Sequence, residues 1–277
     1  MSETTQRTIE QIREHYEVEK SLADILRNAK PSERQELYTS LYDEFYRRLP
    51  HLPQLSRKLS PELTGKHVEQ QLKLLGRFLQ KNMSFLEVGP GDCGLALEVK
   101  RHVRYVYAVD VSYEITKHMS LPADFQLLIS DGSSIPVPNK SIDLAYSNQL
   151  MEHLHPDDAS AQLKNIYQAL TDNGIYVCTT PNRLSGPHDI SKHFDDIATG
   201  FHLNEYTIDE LRTSLRKVGF TRTVLYAGGK GIYIRFPLWL AVLCEKVLAG
   251  IPVRLRKKIA RFLPVKAILG INLVASK

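Results

Sequence analysis

The segment Phe85-Leu86-Glu87-Val88 runs directly into Gly89-Pro90-Gly91-Asp92-Cys93-Gly94. An apolar strand that ends in closely spaced glycines can turn sharply and let other atoms approach its backbone without Cβ interference. From residue 83 onward, short apolar runs alternate with helical patterns. Strands are expected at Ser84–Val88, Tyr105–Val111, Phe125–Ile129, Ile142–Ser147, Gly174–Thr179, Thr221–Tyr226 and Gly270–Ala275. Helices are expected at Leu95–His102, around 113–119, and at Asp157–Leu170, where Leu163, Ile166 and Leu170 share one face. Thr207-Ile208-Asp209-Glu210 is a capping box that opens a further helix, with Ile208, Leu211, Leu215 and Val218 turned inward. Such alternation implies βαβ units, hence a doubly wound α/β fold with a mostly parallel, seven-stranded sheet and helices on both faces.

Two stretches stand outside this pattern. Residues 1–80 read as a helical N-terminal extension, with helices over 5–29, 32–48 and 64–81. In the second, Leu37, Leu41, Phe45 and Leu49 recur every fourth position, and Pro50, Pro53 and Pro61 then interrupt the pattern. Within the remaining 81–277, an apolar then basic helical insertion spans about 236–263, before the last strand. Its apolar part carries Glu245 and Lys246 in the middle, so it reads as a buried or amphipathic helix and not a membrane span.

With 43% apolar and 24% charged residues, the chain has the balance of a globular protein with a real core. Cys93, Cys178 and Cys244 show no CxxC spacing, which points away from a disulfide framework or structural zinc and towards a reducing, cytoplasmic setting. The polar N-terminus lacks the apolar core of a signal peptide. A net charge of +5 suits an anionic surface or substrate without choosing one. No RNA- or DNA-binding motif accompanies it, so nucleic acid is not an expected partner.

In open α/β sheets ligands lie beyond the C-terminal strand ends, where strand order reverses. Asp110, 21 residues after Gly89, ends the second strand and can accept hydrogen bonds from both hydroxyls of a ribose. Glycines plus a later acid fit a dinucleotide site equally well. Glu87 tips the balance, because a carboxylate there would repel a pyrophosphate but could meet the ammonium of an amino-acid ligand. Ser130-Asp131-Gly132 follows the third strand, where an acid can accept from an adenine amino group. Polar Ser147-Asn148 ends the fourth strand beside the expected reacting centre.

In these ordered motifs the chain resembles the Rossmann-type S-adenosylmethionine-dependent methyltransferases, and is similar to small-molecule members such as those of ubiquinone biosynthesis. The resemblance covers about residues 83–227, with 270–275 as a reversed last strand. It implies that Glu87, Gly89, Gly91, Asp110, Asp131, Gly132 and Asn148 bind S-adenosylmethionine. Asn148-Gln149-Leu150-Met151-Glu152-His153-Leu154, Thr180-Pro181-Asn182-Arg183 and His202-Leu203-Asn204-Glu205-Tyr206-Thr207 also match the family's pattern. Gly94 is read as helix packing.

His153 is the first candidate for a general base on an acceptor hydroxyl, against the plainer role of ordering a helix entry. His155, His188, His193 and His202 are further candidates. His153 and His155 with Asp157 and Asp158 could suggest a metal, but acids at a helix start serve capping and the dipole, so no metal is expected there. Arg254, Arg256, Lys257, Lys258 and Arg261 are either a solvated helix face or a surface for anionic lipid. The expected reaction is therefore methyl transfer to a small-molecule or lipid-like acceptor, at a hydroxyl oxygen, with possible peripheral membrane contact through 236–263. A nicotinamide-dependent oxidoreductase, a non-catalytic binding protein on the same fold, and transfer of another group from a related sulfonium remain the alternatives. Oligomeric state is open.

Overall fold

A computed structural model describes residues 7–49, 61–111 and 121–277. The helix expected around 113–119 lies outside the described residues, as do Pro50 and Pro53.

The chain begins with two helices, α1 (Ile9–Asn28) and α2 (Pro31–Arg48). Thr8 opens α1 as a reciprocal capping box with Gln11, and Pro31 starts α2 at a position where its missing N–H costs nothing. Helix α3 (Pro61–Leu75) then leads to β1 (Ser84–Val88), α4 (Gly94–Val99), β2 (Tyr105–Asp110), β3 (Phe125–Ile129) and β4 (Ile142–Asn148). After these come α5 (Pro156–Ala169), β5 (Leu170–Thr180), α6 (Ile208–Val218), β6 (Arg222–Gly229) and β7 (Ile232–Phe236). Three helices, α7 (Leu238–Ala249), α8 (Val253–Ala260) and α9 (Leu263–Leu269), precede the final strand β8 (Ile271–Ser276).

The strands form one sheet in the order β3-β2-β1-β4-β5-β8-β6-β7. The pairs from β3 across to β5 are parallel, and β8 runs antiparallel to both β5 and β6. Strand order reverses at β1 and β4, so the crevice at their C-terminal ends is where the fold offers a ligand site. The expected doubly wound α/β sheet with a reversed last strand is present, with one correction: it has eight strands, not seven. The additional β7 makes an antiparallel edge hairpin with β6 across Lys230 and Gly231, both at positive φ. Its Ile232 and Ile234 face solvent, so it lacked the inward apolar pattern of a covered strand and merged with the apolar run that follows. The Gly228-Gly229-Lys230-Gly231 turn was the signal that marks it.

Alternate residues of a strand face opposite sides of a sheet. On β1, Leu86 and Val88 join a core beneath α1, α2, α5 and α6, while Phe85 joins the opposite core with Leu74, Leu75, Leu95 and Val99 of α3 and α4. Helix α3 ends earlier than expected and α4 is only six residues long. Glu245 explains its own presence in an apolar segment. Its buried carboxylate accepts from the Ile208 N–H at 2.7 Å, the Asp209 N–H at 3.2 Å and the Asn182 amide at 2.7 Å. It thereby satisfies first-turn donors of α6 that have no partner within that helix.

The N-terminal helices lie over the ligand edge of the sheet. Arg34 of α2, with its side chain 2% exposed, forms a bidentate pair with Asp158 at 2.6 and 2.8 Å, and the Tyr38 hydroxyl donates to the same carboxylate at 2.7 Å. Thr39 donates to the Val111 carbonyl just past β2, and Gln35 to Asp131 just past β3. Arg27 of α1 donates to the carbonyls of Thr199 and Gly200. Among the described residues, no helix is long and apolar enough to cross a membrane.

Candidate active site

The turn after β1 is held from below, where the Gly89 N–H donates to the Val109 carbonyl at 2.9 Å. Gly89 and Gly91 both sit at positive φ, +72° and +56°, which side chains rarely adopt. A Cβ on Gly91 would meet nothing within 4 Å, so the space beside it is open. A Cβ on Gly94 would press on Asp92 at 3.1 Å and on Thr64 of α3 at 3.3 Å, so Gly94 does serve helix packing. Asp110, at the tip of the adjacent strand, accepts from the Gly91 N–H at 3.2 Å and the Val111 N–H at 2.7 Å. These bonds fix the carboxylate against the glycine turn.

Glu87 is 5% exposed, and its Oε2 has no hydrogen-bond partner. Burial, reinforced by the nearby charges of Asp92 and Asp110, pushes its carboxyl well above the ordinary range. An orphaned acceptor in an acidic crevice is what an ammonium group would satisfy and a pyrophosphate would not.

Asp131 is placed differently from a carboxylate open to a ligand. Its Oδ1 accepts from the Ser133 and Ser134 N–H groups and the Ser133 hydroxyl, and its Oδ2 accepts from Gln35 at 3.1 Å. Gly132, at φ +91°, lies under Tyr38, whose ring a Cβ would strike at 2.9 Å, and its carbonyl accepts from Gln162. Both residues thus seat α2 against the β3 exit. Asn148 ends β4, half-buried, before Gln149 turns back through positive φ.

Beyond that turn, a short 3-10 turn, Met151–His153, carries two groups into one place. Glu152 is fully buried; its Oε2 accepts from the Thr180 hydroxyl at 2.8 Å, and its Oε1 has no partner. Burial pushes its carboxyl up to about 7. The half-buried His153 has Nδ1 2.9 Å from the Tyr42 hydroxyl and 3.1 Å from the Phe201 carbonyl. Burial and the neighbouring His202 push it down to about 3, so its ring is neutral at ordinary pH. His202 stands edge-on to His153, with ring centres 4.9 Å apart. Its Nδ1 lies 2.7 Å from Glu205. Burial opposes its charge, but the Glu205 hydrogen bond and the nearby Glu152 outweigh this and raise it.

The sequence pointed to His153 and included His202 among its alternatives. Glu152, Glu205, Phe201 and Tyr42 were not singled out, although Glu152 and Glu205 stand inside quoted motifs and Phe201 directly precedes one. Tyr42 comes from α2, and its ring stacks on Phe201 at 4.5 Å. Phe201 is itself held by Glu19 of α1, which accepts its N–H at 2.9 Å. The cluster His153, His155, Asp157 and Asp158 does not assemble as one site. Asp158 is engaged by Arg34 and Tyr38, and the His155 ring accepts from the Asp157 N–H at the start of α5. The pocket lined by Ser84, Arg104, Tyr105, Asp124, Lys140 and Asp143 lies at the N-terminal strand ends, away from this edge.

Comparison with known proteins meets this geometry. The family model described as a methyltransferase domain matches residues 62–224, more than half of the chain. Two proteins of Mycobacterium tuberculosis, from strains CDC 1551 and H37Rv and each described as a "probable S-adenosylmethionine-dependent methyltransferase", are 24% identical over 197 residues. Those matches span 62% of this chain and 70% of theirs. Phosphoethanolamine N-methyltransferase 1 of Haemonchus contortus, solved with phosphoethanolamine and S-adenosylhomocysteine, superposes with a TM-score of 0.57 at 13% identity, over 90% of this chain and 50% of that one. A methyltransferase from Archaeoglobus fulgidus gives 0.51 at 19% identity, over 76% of this chain and 94% of its own. At such identities the structural likeness speaks for the fold, and the family rests on the domain match. The glycine turn, the acid at the β2 tip and the orphaned Glu87 carboxylate fit the cofactor of that family, and the chain belongs to it: a methyltransferase-domain protein that uses S-adenosylmethionine.

Proposed function

We propose that this enzyme methylates a hydroxyl oxygen of a small-molecule or lipid-like acceptor, held between the β4 exit and the roof formed by α1 and α2. Glu87 would hold the ammonium of S-adenosylmethionine, Gly89 and Gly91 would let its chain pass close to the backbone, and Asp110 would take the ribose. Asp131, Gly132 and Asn148 would border the adenine and the reacting end. For Asp131 that role uses whatever accepting capacity Gln35 and the serine turn leave it. The cofactor supplies a methyl group already activated by its positive sulfur. The chain's own residues need to orient the acceptor and exclude water, and orientation of this kind can lower a barrier by roughly 7–11 kcal/mol.

The single observation that favours a hydroxyl acceptor is His153. Its Nδ1 faces the Phe201 carbonyl, an acceptor only, so Nδ1 carries the proton, the Tyr42 hydroxyl accepts from the same N–H, and the Nε2 lone pair is left to accept a hydrogen bond. A base placed there would contribute about 10²–10⁴-fold. A conjugate acid near pKa 3 is a weak proton acceptor, so His153 serves best by aligning the hydroxyl while the proton passes onward. His153→Ala should therefore lower kcat by about 10²-fold or more on a hydroxylated acceptor while leaving S-adenosylhomocysteine binding intact. S-adenosylhomocysteine release, scored over matched hydroxyl and amine acceptors, measures this; full turnover by the variant would remove the assignment.

A lipid-like acceptor draws support from the segment 236–263. Trp239, Leu243 and Val247 recur every fourth residue of α7 and are exposed, as are Phe262 and Leu263. Arg254, Lys258 and Arg261 beside them are exposed as well. Apolar side chains flanked by cations are the composition that rests on anionic lipid.

A further inference from the structure

The cluster at the β4 exit has the chemistry of a metal centre. Among the described residues, Glu152, His153 and His202 each offer one ligand atom, and these atoms all lie within 4.8 Å of one another. Ligating imidazoles characteristically donate their second ring N–H to a carboxylate or a backbone carbonyl, which fixes the tautomer and turns the lone pair towards the metal. Both rings are arranged in this way. The Nδ1 of His153 lies 3.1 Å from the Phe201 carbonyl, which can only accept, so its N–H is shared between that carbonyl and the Tyr42 hydroxyl at 2.9 Å; the Nδ1 of His202 lies 2.7 Å from Glu205 Oε1. Each ring therefore presents Nε2 as its lone pair.

The third ligand gives an independent indication. Glu152 is fully buried, one of its oxygens is committed to Thr180, and the other has no partner. A buried unsatisfied carboxylate oxygen costs stability unless something positive meets it. The supporting residues are themselves held. Glu205 also accepts the His188 N–H at 2.7 Å, the Asn204 N–H donates to the Glu152 carbonyl, and the Phe201 N–H donates to Glu19. Two backbone segments and α1 thus fix the three ligands from outside.

We infer that Glu152, His153 and His202 bind a divalent first-row transition cation, of which zinc is the simplest probe. Two imidazoles and one carboxylate, with His153 on the half-buried side, form a three-ligand site that leaves positions open, the form catalytic centres take. The assignment of a task to the metal rests on the proposed methyl transfer to a hydroxyl, with the metal on His153 Nε2 taking the place of a direct hydrogen bond from that hydroxyl. A cation there lowers the pKa of a hydroxyl brought to it. The hydroxyl proton leaves to solvent, the oxygen lone pair forms the new bond to the methyl carbon, the carbon–sulfur bond breaks, and its electron pair stays on sulfur. No oxidant or reductant is needed. The expectation of no metal site is set aside here: His153 groups with Glu152 and His202, not with His155, Asp157 and Asp158.

The test is direct metal binding, separate from turnover. Chelator-treated full-length protein is titrated with Zn²⁺ by calorimetry, and with Co²⁺ by visible absorption. The expected result is one equivalent bound, with affinity at least about tenfold weaker in each of Glu152→Gln, His153→Gln and His202→Gln. S-adenosylhomocysteine affinity and the urea midpoint, measured on the same samples, certify that each variant is folded. Cobalt spectra of a site with nitrogen and oxygen ligands in the wild type, lost in folded variants, support the assignment. No stoichiometric binding by the wild type, or equal binding by folded variants, overturns it. If zinc binds but hydroxyl acceptors are not methylated, the proposed reaction fails and the metal site stands.

Discussion

Glu87 is a buried carboxyl with one oxygen that has no hydrogen-bond partner. Burial and two neighbouring acids raise its carboxyl, so the free protein keeps that proton to higher pH than an exposed glutamate would. An ammonium ligand favours the ionised form, so binding should expel a proton, and affinity should rise with pH until the pKa of the free protein is passed. Calorimetric titration of S-adenosylhomocysteine over a pH series, in buffers of different ionisation enthalpy, reads this as net proton release. Glu87→Gln should abolish the release and weaken binding; release that persists in the variant would place its source elsewhere. Glu87, Gly89, Gly91 and Asp110 were legible in the sequence because they sit on one strand–turn–strand unit, where spacing alone sets position. Tyr42 was not, because it lies 111 residues from His153 and meets it only through the fold.

At the scale of elements, α2 is the part whose role periodicity could not show. Its apolar stripe of Leu37, Leu41, Phe45 and Leu49 marked a buried face, and the last three are buried while Leu37 is half-buried against the same core. The partners of that face follow from polar side chains that the stripe does not include. Arg34 is docked on Asp158 of α5, and a buried pair broken from one side leaves an uncompensated charge. Arg34→Ala should therefore cost about 3–5 kcal/mol in urea unfolding. A loss below about 1 kcal/mol, the scale of a surface pair, would mean that the helix is anchored by its apolar contacts instead. The edge strand β7 escaped notice for a related reason. Its isoleucines face outward, so the inward alternation that reveals a half-covered strand is missing, and only the glycine turn before it carried the information.

At the scale of the whole molecule, the outer faces of α7, α8 and α9 expose Trp239, Leu243, Val247, Leu255, Phe262 and Leu263 together. Trp239 is the single tryptophan of the chain and is 69% exposed, so its fluorescence reports on that surface alone. If the segment rests on lipid, vesicles rich in anionic phospholipid should shift the emission to the blue, and salt should reverse the shift as it screens the cations. Neutral vesicles should do less, and an unchanged spectrum with anionic vesicles would count against membrane contact. The sequence by itself determined the βαβ framework and the glycine turn with its two acids, because period and spacing act over a few residues and need no knowledge of distant partners. The tertiary structure decided what stands over that turn. The roof of α1 and α2, the burial that leaves a Glu152 oxygen without a partner, and the meeting of His153 with His202 all depend on contacts between segments far apart in the chain, and these are set by packing rather than by local pattern.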